Sequence, residues 1–206
     1  MTINANLQKL IFAGIVIFYL CSRFVFGRFI DSFGAYASYA FESLFCIVVI
    51  ATFFRNKFKL FSKPSKFVVA QIILAPAIGY LIYSVMVTFR MAFPFDLRNS
   101  ELIVLLLVVG PILEEFIFRQ ALFFPLEDLL KKPILAVFST AAIFSFSHFY
   151  AYSFVPDQIK SFVLYQTGYT LFLGLWWGSL YARTRAISWT ILAHIGLNFG
   201  FWLGSF

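Results

Sequence analysis

The stretch LIVLLLVVGPILEEFIFRQ, residues 102–120, has the length of a membrane-spanning helix, yet it carries three charged side chains. About 20 mostly apolar residues are needed to cross the hydrocarbon core of a bilayer. Glu114, Glu115 and Arg119 all lie in the second half of this run. Because an ionisable group at the centre of a membrane helix costs at least about 2.5–3.5 kcal/mol, we first interpret such groups as functional.

The composition of the whole chain indicates a polytopic membrane protein. Of its 206 residues, 62% are hydrophobic and 12% are charged, whereas soluble domains contain about 25% charged residues. The predicted fold class is therefore an all-α transmembrane helical bundle of about seven spans, with a range of about six to eight. The predicted spans are about 7–27, 34–54, 67–90, 102–124, 133–151, 160–182 and 187–204.

The chain is predicted to form a single membrane domain that comprises residues 1–206. No long polar linker divides the sequence. The N-terminal apolar run is interpreted as a first span, because no small-residue signal cleavage site follows it. Cys21 and Cys46 lie inside apolar runs without disulfide or zinc spacing, so both are expected to be core thiols.

The net charge of +7 is interpreted as a topology signal and not as a nucleic-acid footprint. The connections at 55–66, 125–132 and 182–186, together with Lys9, hold ten Lys and Arg residues, and the alternate connections hold five. Because positive charge is retained in the cytoplasm, we predict a cytoplasmic N-terminus and a C-terminus outside. The chain is interpreted as a multi-pass protein of a bacterial or archaeal cytoplasmic membrane.

The charged residues of the fourth span divide into a pair and a single carboxylate. Glu115 and Arg119 are four residues apart, so they can pair on one helix face and hold helices together. Glu114 points about 100° away from Glu115 and has no such partner. Gly110 lies on the same face as Glu114, and Pro111 lacks the N–H of a regular helix. A local opening is therefore predicted beside Glu114.

Further polar residues lie on the fifth and seventh predicted spans. His148 lies near the end of the fifth span, and His194 and Asn198 lie four residues apart on the seventh. This spacing places both side chains on one helix face, where each can present N–H donors towards one point. Structural interpretations stay open, with His148 as an interfacial residue and the other two as polar contacts between helices.

A carboxylate, two histidines and an amide on three helices indicate a site that activates water for hydrolysis. Such a site needs a base for the water proton and N–H donors for the oxyanion. Glu114 is the candidate base, and His148 can share the water. His194 and Asn198 can bind the oxyanion. Zinc ligation by Glu114, His148 and His194 is the alternative, but the chain has no HExxH motif, so a site without metal or other cofactor is favoured.

Three motifs in this order resemble those of the CPBP intramembrane proteases, the CAAX protease and bacteriocin-processing family. The motifs are Glu114-Glu115-x-x-x-Arg119, Phe144-x-x-x-His148 and His194-x-x-x-Asn198. They place a CPBP-like catalytic core at about 101–204, whereas the spans within 1–100 carry no matching motif. The family includes the type II CAAX prenyl endopeptidases and bacterial proteins linked to bacteriocin self-immunity.

The resemblance implies a glutamate-type intramembrane endopeptidase. It implies Glu114 as the base, His148 as an aid to the water, and an oxyanion site made by His194 and Asn198. It also implies that Glu115 and Arg119 support the site structurally. The family was long regarded as metalloproteases and later as glutamate-type enzymes, so the resemblance leaves zinc as the alternative.

The predicted function is hydrolysis of a peptide bond in a membrane protein, a lipid-anchored protein or a peptide within the lipid bilayer. CAAX-type C-termini, propeptides and C-terminal sorting tails are the candidate substrates. A non-catalytic membrane immunity or assembly factor is the main alternative. An ion-coupled transporter is less favoured, because no internal repeat is present and the site residues fall in the second half of the chain.

Glycines at a spacing of four residues are expected to serve helix packing. Gly196, Gly200 and Gly204 form one such stripe, and Gly174 and Gly178 form a second. Small residues at this spacing let two helices approach closely.

Overall fold

The computed structural model describes residues 4–34 and 36–206, and over these ranges the protein is all-α. Residues 1–3, the predicted cytoplasmic N-terminus, and Ala35, in the predicted second span, lie outside the described residues. The helices are α1 Ala5–Phe24, α2 Gly27–Asp31, α3 Ala37–Val49, α4 Lys66–Thr88, α5 Ser100–Val104, α6 Gly110–Glu115, α7 Phe123–Leu130, α8 Pro133–Phe149, α9 Asp157–Thr184 and α10 Ile187–Leu203. Turns of π-helix at Ile50–Phe54, Leu105–Val109 and Phe116–Ala121, and a 3₁₀ turn at Tyr150–Ser153, extend or join them.

The predicted helical bundle is confirmed, and each predicted span corresponds to one long helical segment. The fourth is a composite of α5, α6 and their π-helical turns, hereafter the broken segment (100–121). The helices at Ala5–Phe24, Ala37–Phe54, Lys66–Thr88 and Pro133–Ser153 are long and apolar enough to cross a membrane, and α10 is a shorter apolar helix. The 125–132 connection is not a simple loop, because α7 occupies most of it and buries Phe123 and Phe124.

The outer surface of the bundle suits a lipid environment. Large apolar side chains lie exposed along several helices, including Leu10, Ile47, Ile73 and Phe172, each at least 60% exposed. Extensive exposed apolar surface of this kind marks contact with a membrane or a partner.

The basic connections lie together at one end of the bundle, as the charge alternation predicts. The amide of Ile187 donates to the carbonyl of Lys59, at 3.2 Å, and the guanidinium of Arg185 donates to both carboxylate oxygens of Glu127. We call residues 55–66, 131–132 and 183–186 the basic end, and residues 89–99 and 150–156 the far end. The ring of Phe93 contacts that of Phe162, 5.0 Å between centroids, which places the start of α9 at the far end.

The glycine stripes pack helices together, which confirms their predicted role. A Cβ atom at Gly200 would lie 1.9 Å from the carbonyl oxygen of Pro76, and one at Gly79 would lie 1.8 Å from that of Leu197. Helices α4 and α10 therefore touch backbone to backbone. A Cβ atom at Gly174 would similarly lie 2.9 Å from Ala141 of α8. These contacts fix α10, the helix that carries His194 and Asn198.

Gly200→Ala is expected to destabilise the protein by about 1–3 kcal/mol or more, because the added methyl forces α4 and α10 apart. Gly168→Ala on α9 is the matched control, since nothing lies within 4 Å of its added Cβ. Alanine in a helix interior is favoured over glycine by about 0.5–1 kcal/mol, so this variant should be at least as stable as wild type. Thermal unfolding in detergent measures both, and equal stability of the two variants would contradict the packing account.

Candidate active site

The broken segment departs from regular helix next to Glu114. The π-helical turn Leu105–Val109 ends at Gly110, whose amide donates to the carbonyl of Leu105. A Cβ atom at Gly110 would lie only 3.0 Å from that carbonyl oxygen. Pro111 follows and has no N–H to donate to the preceding turn. The irregularity beside Glu114 is therefore a π-helical turn that ends at Gly110, a feature often found at functional sites.

Glu115 and Arg119 form the predicted ion pair in the interior of the bundle. The Arg119 Nε–H donates to Oε2 of Glu115 at 3.0 Å, and the two side chains are 0% and 1% exposed. The other carboxylate oxygen, Oε1, lies 3.1 Å from Nδ1 of His194. Glu115 thus joins the broken segment to α10 as well as balancing the guanidinium charge.

Glu114 has a different environment from its neighbour in sequence. Its side chain is 33% exposed, against 1% for Glu115, and its Oε2 lies 3.6 Å from Nε2 of His194. The imidazole therefore lies between two carboxylates, one buried in an ion pair and one open to a cavity. Of the two glutamates, only Glu114 can reach an incoming molecule.

His194 is fixed by contacts on several sides. Since the Glu115 carboxylate can only accept, we assign a proton to Nδ1 of His194, which leaves Nε2 facing Glu114. The indole of Trp177 stacks against the imidazole with 4.3 Å between ring centroids, and the edge of Phe144 approaches it at 6.2 Å. This packing sets the ring plane of His194, and the Glu115 contact sets which nitrogen faces the cavity.

His148 is held at the end of α8 by its own helix. Its Nδ1 lies 2.9 Å from the carbonyl oxygen of Phe144, and the two rings meet edge to face at 4.8 Å. We assign the proton to Nδ1, which donates to that carbonyl and leaves Nε2 as an acceptor.

Asn198 has a partner that its sequence position did not indicate. Its side-chain N–H₂ donates to the carbonyl of Leu106 at 2.7 Å, within the π-helical turn of the broken segment. An amide nitrogen carries two hydrogens, so one N–H is left for a second acceptor. Asn198 therefore ties α10 to the broken segment and retains one donor.

These side chains meet at one cavity of about 150 Å³. Glu114, His148, His194 and Asn198 all line it, from the broken segment, α8 and α10. The remaining walls are mostly apolar, and their aromatic side chains include Tyr39, Phe93, Phe95, Phe162, Tyr169, Phe201 and Trp202. The arrangement can hold a water molecule and a short apolar segment beside a carboxylate and two imidazoles.

Sequence reasoning missed several residues of this site. Gln166, Tyr169 and Thr170 line the cavity from α9, and their spacing of three and four residues on one helix face could have revealed them. Trp177 and Tyr39 carry no such signal, because each is one aromatic residue among many in an apolar run.

The alternative zinc set is Glu114, His148 and His194, and at least three such side chains must converge to hold a metal ion. Among the residues described, no three His, Cys, Asp or Glu side chains are arranged to hold one. No chemical step below is therefore assigned to a metal.

Comparison with known families gives one match. Residues 98–200, half of the chain, match the family described as type II CAAX prenyl endopeptidase Rce1-like. The matched range contains all four cavity side chains named above, as well as Glu115 and Arg119. Comparisons with curated proteins and with solved structures found no match.

Proposed function

Because the chain belongs to the type II CAAX prenyl endopeptidase Rce1-like family and is thus an intramembrane peptidase, we propose that it hydrolyses its substrate with a water molecule activated by Glu114. The observation that supports this assignment is the convergence of Glu114, His148, His194 and Asn198 on one cavity. The proposed substrate is a membrane-associated protein or peptide, since the site lies within a helical bundle whose surface is apolar.

In the proposed reaction, Glu114 accepts a proton from water, and the resulting hydroxide adds to the carbonyl carbon of the scissile peptide bond. Nε2 of His148 is a second acceptor that orients the water. The carbon–nitrogen bond then breaks as Glu114 returns the proton to the leaving amine. Return of this proton regenerates the Glu114 carboxylate, and the products are a new amine and a new carboxylic acid, which ionises to a carboxylate.

The oxyanion formed on addition needs N–H donors aimed at it. We assign this role to Nε2 of His194, which donates when it carries a proton in addition to the one on Nδ1, and to the second N–H of Asn198. Glu115 supports the first of these, because its carboxylate, 3.1 Å from Nδ1, accepts that N–H and holds the imidazole in position. Arg119 in turn balances the charge of Glu115, so these two residues act by positioning His194.

Cleavage is expected to persist when the purified protein is treated with EDTA or 1,10-phenanthroline, because the proposed chemistry uses no metal ion. A peptidase assay in detergent before and after chelation, with a zinc peptidase as the control that loses activity, measures this. Loss of cleavage on chelation that returns on addition of zinc would contradict the metal-free proposal.

The candidate substrates are a CAAX-type C-terminus, a propeptide and a C-terminal sorting tail. Proteomics of membrane and secreted proteins in cells with wild-type protein or Glu114→Gln tests the function and finds the substrate. We expect at least one protein whose terminus is shortened only by the wild type. If termini are identical while the cellular phenotype of the wild type persists in Glu114→Gln, a non-catalytic immunity or assembly factor is favoured instead.

A further inference from the structure

We infer that the cavity opens to the extracytoplasmic side of the membrane, so that the substrate is an apolar peptide segment presented from outside the cytoplasm. The inference deepens the proposed function and depends on it for the identity of the occupant as a substrate. Among the candidate substrates, it favours exported propeptides and sorting tails. A prenylated C-terminus presented from the cytoplasm would instead meet the closed end of the bundle.

The mouth of the cavity lies at the far end of the bundle. Phe93, Phe95 and Leu97 of the far end line the cavity. Most other lining residues come from the far-end halves of their helices, such as Phe162 near the start of α9 and Trp202 near the end of α10, whereas Glu114, Leu173 and His194 lie just past the midpoints. Among the described residues that line the cavity, none belongs to the basic end. The route from the site to solvent therefore leads to the far end.

The floor of the cavity is closed by buried side chains. On the side of Glu114 that faces the basic end lie the buried Glu115–Arg119 pair and Gln120, each at most 1% exposed. Trp177 and Tyr181 of α9 are 0% exposed and fill the same layer. Densely packed large side chains thus separate the site from the basic end.

The two ends of the bundle carry different numbers of Lys and Arg residues. Ten of the sixteen Lys and Arg residues belong to the basic end and the start of α1, and Arg119 is in the interior. The other five lie at or near the far end, and they are Arg23, Arg28, Arg90, Arg98 and Lys160. Lys9 belongs with the basic end, since Phe12 of α1 contacts Phe54, 5.3 Å between ring centroids. Because Lys and Arg are enriched in cytoplasmic connections, the basic end is cytoplasmic and the cavity mouth is outside.

The chemistry of the mouth indicates the kind of segment it admits. Its walls carry the aromatic rings of Phe93, Phe95, Phe201 and Trp202 and no Lys or Arg among the described lining residues. A cavity of about 150 Å³ is smaller than a typical ligand pocket of about 300–1,000 Å³. It therefore suits a short, extended apolar segment next to a membrane anchor, and not a folded domain.

The test is site-directed labelling in intact cells with a membrane-impermeant maleimide. In a protein with Cys21→Ala and Cys46→Ala, one cysteine is introduced as Phe95→Cys at the mouth or as Lys63→Cys at the basic end, both exposed positions. We expect Phe95→Cys to gain the reagent mass in intact cells, and Lys63→Cys to gain it only after lysis. Arg98→Cys, also exposed in the far-end connection, provides a second reporter if Phe95→Cys does not fold.

Labelling of Lys63→Cys in intact cells, or labelling of both far-end cysteines only after lysis, would overturn the inference. Inverted membrane vesicles must show the reverse order and provide the internal check. The readout does not depend on catalysis, so it stays separate from the proposed function. Failure of Glu114→Gln to change any protein terminus would reject the peptidase chemistry, whereas the labelling pattern alone decides the orientation.

Discussion

Glu114→Gln is expected to lower the rate of peptide cleavage by about 10²–10⁴-fold, the usual contribution of a general base, while leaving the fold intact. The amide has nearly the shape of the carboxylate but cannot accept the water proton. Glu114 is partly open to the cavity and, unlike Glu115, forms no close pair with Arg119. Cleavage of the substrate by purified protein in proteoliposomes, together with thermal unfolding, measures both effects.

The matched control for this prediction is Glu101→Gln. Glu101 lies at the exposed start of the same broken segment and is not among the residues that line the cavity. The same chemical change should therefore leave the cleavage rate within about twofold of wild type. A surface substitution away from structural features usually changes the free energy of unfolding by no more than about 0.5 kcal/mol, so the amount of folded protein stays the same. Equal rates for wild type and Glu114→Gln would remove Glu114 from the mechanism.

Arg119→Met is expected to destabilise the protein by about 3–5 kcal/mol, because it leaves the buried Glu115 carboxylate without its cation. Both side chains of this pair are at most 1% exposed, so water cannot replace the lost partner. The double variant Glu115→Gln with Arg119→Met should recover part of this loss, since it removes both charges. Thermal unfolding of the three proteins in the same detergent gives the comparison.

The control for Arg119→Met is the Asp128–Lys131 pair, whose lysine side chain is 64% exposed. Lys131→Met should change the free energy of unfolding by no more than about 1 kcal/mol, as is usual for an exposed ion pair. If Arg119→Met were as mild as Lys131→Met, the buried pair would not support the fold as described. The double variant should still cleave poorly, because His194 has lost the carboxylate that positions it.

The sequence was sufficient to predict those features that depend on short-range spacing. Apolar runs of about 20 residues reveal membrane spans, which is why the sequence alone locates all seven long helical segments. The Glu115–Arg119 contact follows from a spacing of four residues on a helix. The spacing of Gly196, Gly200 and Gly204 predicts that some helix approaches α10 closely, and the structure shows that this helix is α4.

Contacts between distant segments could not be predicted in the same way. The Glu115–His194 contact joins residues 79 positions apart, and Asn198 binds a carbonyl 92 positions away. The π-helical turn that positions this carbonyl depends on packing as well as on Gly110 and Pro111. The stacking of Trp177 on His194 likewise arises only when α9 and α10 meet. The sequence therefore indicated which residues converge but not which partners orient them.

The central claim, that Glu114 activates a water molecule to hydrolyse a peptide bond, is tested most directly by a single turnover in H₂¹⁸O with enzyme in excess over substrate. Mass spectrometry of the products and of the peptide containing Glu114 gives the outcome. We predict one ¹⁸O atom in the new C-terminal carboxylate and none in the side chain of Glu114. Label in the Glu114 carboxylate, or a cleaved product without label, would contradict this account.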